Sequence, residues 1–363
     1  MALTDVWFLL IAVLWIGYFV LEGFDFGVGM LLPLVGRTDT DRRVAINTIG
    51  PVWDGNEVWL LVAGGAMFAA FPHWYASLFS GFYLALLMIL VALIVRGVAF
   101  EFRGKIDSAR WRRGWDAAII FGSAVPALLW GVAFGNIVRG VPLDAAHNYT
   151  GDFFTLLNPY ALLGGLTTLA LFGLHGAVFL ALRTTGEVRE AALGLARKIG
   201  PAAVPVAGGF LVWTQVAHGD GWTLGPAVLA ALALVAGGWL ANAGREGWAF
   251  VCTAATIKLA VITLFVALYP NVLPSSTDPA GTLTTVNAAS TPYTLTIMTW
   301  VAVIFTPIVL AYQTWSYWVF RQRIGRADIP SWAGLPARVK SAAPSGPASP
   351  TGASGATDEV PAR

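Results

Sequence analysis

The chain has 363 residues, of which 57% are apolar, 13% aromatic and only 12% charged, with a net charge of +2 and a mean hydropathy of +0.69. A soluble domain carries about a quarter of its residues as charged ones, so this chain lacks the polar surface to cover a water-soluble core of its size. That excludes a cytosolic enzyme, a disulfide scaffold and a disordered chain. An all-α membrane protein remains, and so small a net charge gives no reason to expect a nucleic-acid partner.

Runs of about 20 apolar residues cross a bilayer as helices, and nine occur in chain order: 6–34, 52–71, 75–96, 115–138, 159–182, 201–218, 223–241, 247–269 and 294–320. The first lacks the basic start and small-residue cleavage site of a signal peptide and continues as GFDFGVGMLLPL, so it is expected to stay as a helix. With the N-terminus outside and the C-terminus inside, 20 of the 22 Lys and Arg fall on the cytoplasmic side, Arg139 and Lys258 being the exceptions. Residues 1–336 therefore read as one polytopic bundle. The segment 337–363, poor in large apolar residues and rich in Ser, Pro and Gly, reads as a disordered cytoplasmic tail. The Ser/Thr-rich gap 271–293 holds no basic residue and reads as an external loop.

Charges at membrane depth are costly, so each one is a functional candidate. Glu22 and Asp25 lie three apart on one face of the first helix, next to a Gly23-xxx-Gly27 surface suited to close helix approach. Asp54 and Glu57 stand where the second helix begins after Pro51, a place where the helix dipole favours carboxylates. For Glu57 that structural account and a functional one weigh equally. Asp54, among Trp53, Gly55 and Trp59, is expected beside the acidic stretch of the first helix, where paired carboxylates suit a proton acceptor. Lys258, about eleven residues into the eighth run, must pair with an acid, become neutral or meet a polar ligand, and another subunit is one source of that acid.

Of the four histidines only His175 is deep in a span, and a hydrogen-bonded place inside the bundle competes there with haem ligation. The single cysteine, Cys252, permits neither an internal disulfide nor a thiolate cluster, and CxxCH, HExxH and P-loop motifs are absent. The aromatics Trp315, Tyr317 and Trp318 read as interfacial anchors, with a lipid or quinone contact as the lesser reading.

Several stretches carry a more specific pattern: Gly23-Phe24-Asp25 with Gly27-Val28-Gly29-Met30, Trp53-Asp54-Gly55-Asn56 with Val58-Trp59-Leu60, Gly131-Val132-Ala133-Phe134-Gly135-Asn136, Pro274-Ser275-Ser276-Thr277 and Met298-Thr299-Trp300-Val301-Ala302. On these, the chain resembles subunit II of the cytochrome bd-type quinol oxidases over everything but the tail. The resemblance implies part of a terminal oxidase of the bacterial cytoplasmic membrane that takes electrons from membrane quinol and reduces O2 to water. It implies a haem-bearing subunit I as partner, with haem b and haem d on that partner and none on this chain, and it leaves room for small accessory subunits and a bound quinone. It further implies cytoplasmic proton delivery through Asp54, with Asp25 supporting and Glu22 as relay or packing acid, and so a proton gradient without pumping. Arg96 is a candidate for a quinone or lipid contact, the alternative being a side chain that snorkels to the interface. An independent proton-coupled transporter and a purely structural assembly subunit are the competing readings.

Overall fold

The computed structural model describes residues 2–330 and 335–336; the expected tail at 337–363 lies outside them. Eleven α-helices account for most of the described residues: α1 (Leu3–Val35), α2 (Asp39–Ile49), α3 (Trp53–Ala70), α4 (Pro72–Gly81), α5 (Tyr83–Phe102), α6 (Ala109–Arg139), α7 (Pro159–Arg183), α8 (Gly186–His218), α9 (Gly221–Asn242), α10 (Glu246–Leu268) and α11 (Pro292–Val319). Eight of them are long and apolar enough to cross a membrane, and they cover every expected run but 52–71. That run forms α3, only 18 residues long, whose first turn spends its length on Asp54-Gly55-Asn56-Glu57.

Helix starts follow local chemistry. Thr38 accepts from the Asp41 amide while the Asp41 carboxylate accepts from the Thr38 amide, closing a capping box on α2. Asn158 and Thr291 cap α7 and α11, each followed by a proline at the first helical position. The expected run 75–96 is divided: Pro72 starts the short α4, and the chain leaves the helix at Phe82 before α5 begins. Two further departures lie at the basic end. The charged stretch 39–49 forms α2, and α8 starts fifteen residues before the expected run because 186–200 is itself helical.

α1 is the hub of the bundle and touches α2, α3, α6, α7, α8, α10 and α11. Its closest crossing is with α7 at Gly27 and Gly176. A Cβ on Gly27 would lie 2.0 Å from the Phe172 carbonyl oxygen, and one on Gly176 would lie 2.5 Å from the Gly27 backbone. The glycine surface expected on the first helix is thus spent on this contact. Next to it Trp15, Phe19, Trp130 and Phe134 pack edge-on or tilted, with Trp130 Nε1 donating to the Tyr18 hydroxyl at 3.1 Å.

The two ends of the bundle differ in chemistry. At one end lie the ion pairs Arg42–Asp116 (2.8 Å), Arg103–Asp116 (2.6 Å), Arg103–Asp39 (2.8 Å) and Arg326–Asp41 (2.6 Å). At the other, the loop after α6 is laced to the 271–290 loop: Val141 donates to Pro274, Ser276 donates to Val141, and Asn271–Leu273 pairs antiparallel with Leu283–Thr284. α11 differs from the other long helices, since Leu295 is its only buried residue.

Candidate acidic layer in the bundle

Glu22 and Asp25 sit about 20 and 15 Å from the end of α1, at 1.5 Å per residue, and both are completely buried. Arg96 of α5, also completely buried, donates from Nη1 to Glu22 Oε1. Its guanidinium lies 5.0 Å from the Phe26 ring centroid and 5.2 Å from that of Phe100. Arg96 therefore does not snorkel and does not belong to a loop: α5 continues to Phe102, and the guanidinium is held inside the bundle by a carboxylate.

Asp25 finds its partner on α3. Asn56 donates from Nδ2 to Asp25 Oδ2 at 2.7 Å, and Asn56 Oδ1 accepts from Gln313 Nε2 at 3.1 Å and from the Tyr317 hydroxyl at 2.7 Å, both on α11. Trp59 Nε1 adds a bond to Gln313 Oε1 at 3.2 Å. A polar layer drawn from α1, α3, α5 and α11 thus crosses the bundle. Within it Glu22 Oε2, Asp25 Oδ1, Arg96 Nε and Arg96 Nη2 are buried and lack a hydrogen-bond partner among the described residues. Groups of this kind are the ones that take up water, a proton or a polar ligand.

The structure brings Glu22, Asp25 and Arg96 together and leaves Asp54 apart. Asp54 is exposed on α3 and has no hydrogen bond or ion pair among the described residues, and Glu57 is half-buried. Two residues along a helix turn the side chain by about 200°, so Asn56 faces Asp25 and Asp54 faces away from the bundle. Asn56 and Gln313 were missed because neutral polar residues raise no charge signal, and Tyr317, expected as an interfacial anchor, is half-buried with its hydroxyl turned inward to Asn56. The available signal was the stripe Asn56, Ala63, Met67, Ala70, the buried face of α3.

The other singled-out residues lie outside this layer. His175 is buried with both ring nitrogens engaged, Nδ1 with Thr253 Oγ1 at 2.7 Å and Nε2 with the Val20 carbonyl at 3.2 Å, and its ring stacks on Phe250. It is the hydrogen-bonded histidine of the two alternatives. Lys258 is exposed midway along α10 with no ion pair among the described residues. Among those residues no group of three or more His, Cys, Asp or Glu could hold a metal ion.

Comparisons with known proteins agree with this architecture. The family model of cytochrome bd terminal oxidase subunit II matches residues 3–320. The chain is 41% identical to cytochrome bd ubiquinol oxidase subunit 2 of Bacillus subtilis, over 90% of this chain and 98% of that one. It is 40% identical to cytochrome bd-I ubiquinol oxidase subunit 2 of Escherichia coli, over 90% and 96%. A chain of the bd oxidase structure from Geobacillus thermodenitrificans superposes with a TM-score of 0.71 at 18% identity, covering 88% of this chain and 97% of that chain, and so shares the fold.

Proposed function

Because the chain belongs to the cytochrome bd terminal oxidase subunit II family, we propose that it serves as the proton-handling partner of a haem-bearing subunit I in a quinol:O2 oxidoreductase. The complex oxidises membrane quinol and reduces O2 to water in the bacterial inner membrane. Haem b and haem d on subunit I supply electron transfer and O2 reduction; this chain's own residues hold and move protons. The observation that carries the reading is the buried carboxylate pair on α1, with Glu22 Oε2 and Asp25 Oδ1 both lacking a hydrogen-bond partner among the described residues.

In this reading nine spans cross the membrane, the N-terminus is outside, and the arginine-rich end faces the cytoplasm, as the distribution of basic residues supports. Asp54, exposed at the start of α3, takes up a proton on that side. Asp25 and Glu22 are the next acceptors, poised by Asn56 and Arg96 respectively. Reduction of one O2 to two waters consumes four protons, and oxidation of two quinols releases four. Drawing the first set from inside and releasing the second outside separates charge without a pump. A bound quinone at this layer would use Arg96 Nε and Nη2, donors that suit a quinone carbonyl.

The test is Asp54→Asn and Asp25→Asn in the purified oxidase, measuring O2 consumption, charge moved per electron and haem content. Lower turnover with haem content unchanged supports proton delivery by these residues. Full turnover with full charge separation overturns it, and loss of haem or of subunit I together with activity points to the assembly role instead.

A further inference from the structure

A second polar site lies at the arginine-rich end of the bundle and meets the acidic layer only at Tyr317, whose hydroxyl bonds to Asn56 while its ring lines the new site. There a cavity of about 340 Å³ opens between the link from α2 to α3, the end of α7, the start of α10 and the end of α11. At roughly 30 Å³ per water, it holds the volume of about eleven waters, which is room for a headgroup rather than a lone ion. Three arginines line it: Arg183, Arg321 and Arg323.

These guanidinium groups are short of anions. Arg183 donates from Nη2 to the Phe320 carbonyl, and Arg321 donates from Nη1 to the Trp318 carbonyl and lies 4.2 Å from the Trp318 ring centroid. Neither has a carboxylate within ion-pair distance among the described residues. Arg323 reaches only Glu246 Oε2, at 4.0 Å, and the other oxygen of Glu246 is taken by Arg189. Three like charges around one cavity repel one another, and an anion placed among them removes that cost and accepts several charge-assisted hydrogen bonds.

The rest of the lining says what kind of anion. Phe179, one helical turn deeper than Arg183, and Leu182 supply an apolar wall, and Tyr317 stands beside them. Trp315 and Trp318 are exposed on the same end of α11, where indole rings settle at headgroup level. Charge at the rim, apolar wall beneath and an aromatic border match the layering of a phospholipid. We propose that this cavity is a binding site for an anionic phospholipid, whose phosphate is held by Arg183, Arg321 and Arg323 and whose acyl chains run down past Leu182 and Phe179.

The test uses the purified complex in nanodiscs of phosphatidylcholine, with and without phosphatidylglycerol, alongside Arg321→Gln/Arg323→Gln, which leaves Arg183 and its contact with Phe320 in place. Native mass spectrometry reads retained lipid, and a photoactivatable phosphatidylglycerol, mapped by peptide analysis, reads its position. The expected result is phosphatidylglycerol retained against an excess of phosphatidylcholine, crosslinks at 317–323, and retention about fivefold weaker per arginine removed, or roughly twenty-five-fold for the pair. Equal retention of phosphatidylcholine, equal retention by the double variant, or displacement of the lipid by inorganic phosphate would each overturn the proposal. Should the double variant not assemble, the crosslink map of the unaltered protein decides: label elsewhere refutes the site.

Discussion

Arg96→Met removes the one cation paired with Glu22 among the described residues and leaves that carboxylate in a place with no solvent exposure. Breaking one side of a buried pair costs about 3–5 kcal/mol, or roughly two to four powers of ten in the folding equilibrium. Relaxation has little room, because α6 presses on the site: a Cβ at Gly122 would lie 2.4 Å from Arg96 Cβ. Glu22→Gln/Arg96→Met removes both charges and leaves mainly an under-bonded amide, a cost of about 1–3 kcal/mol. The double variant is therefore expected to be more stable than the Arg96→Met single. A double-mutant cycle on reversible unfolding in mixed micelles measures this directly. A single-variant cost below about 1 kcal/mol, or costs that simply add, would show that the pair does not hold the layer together.

Two further outcomes follow from other parts of the bundle. Gly176→Ala puts a methyl group into the Gly27 backbone; overpacking of this kind costs about 1–3 kcal/mol and should lower the thermal midpoint of the complex, whereas Gly194→Ala, in open space on α8, should not. At the arginine-rich end, hydrogen bonds from Arg326 hold the Asp41 carboxyl below the usual carboxylate range, helped by Thr38. Such a group contributes stability above the unfolded carboxylate value, about 3.9, and loses it as pH falls through the lower folded value. Arg326→Gln should therefore melt earlier than the unaltered protein at pH 7, with the gap narrowing below about pH 4; a gap independent of pH contradicts the assignment.

What could be read from the sequence divides by the kind of signal. Long apolar runs announced the spanning helices, because a bilayer imposes length and composition on them. Glu22 and Asp25 stood out because charge is rare at that depth, and both are in the buried layer. The break at Phe82 stayed hidden, since it takes one residue out of the helix within a run that is apolar on average, and hydropathy does not register so local a departure. Asp54 was placed beside Asp25 because both were expected at one cytoplasmic mouth, but angle around the helix decides the matter and puts Asn56 there. Arg96 read as a quinone or lipid contact, or else a snorkelling cation, and its pairing with Glu22 was not legible because that partner is 74 residues away, a distance over which no local pattern operates.

α11 meets the rest of its chain at two places: Trp7 Nε1 bonds to Thr299 and Leu295 near one end, and Asn56 and Trp59 bond to Gln313 and Tyr317 near the other. Between them residues 303–312 are exposed throughout. Water does not drive helices together in a bilayer, so polar tethers and a modest packing area are what keep α11 in place. A detergent that competes for that exposed face is therefore expected to release α11 before it parts α1 from α6 and α7, whose contacts are buried.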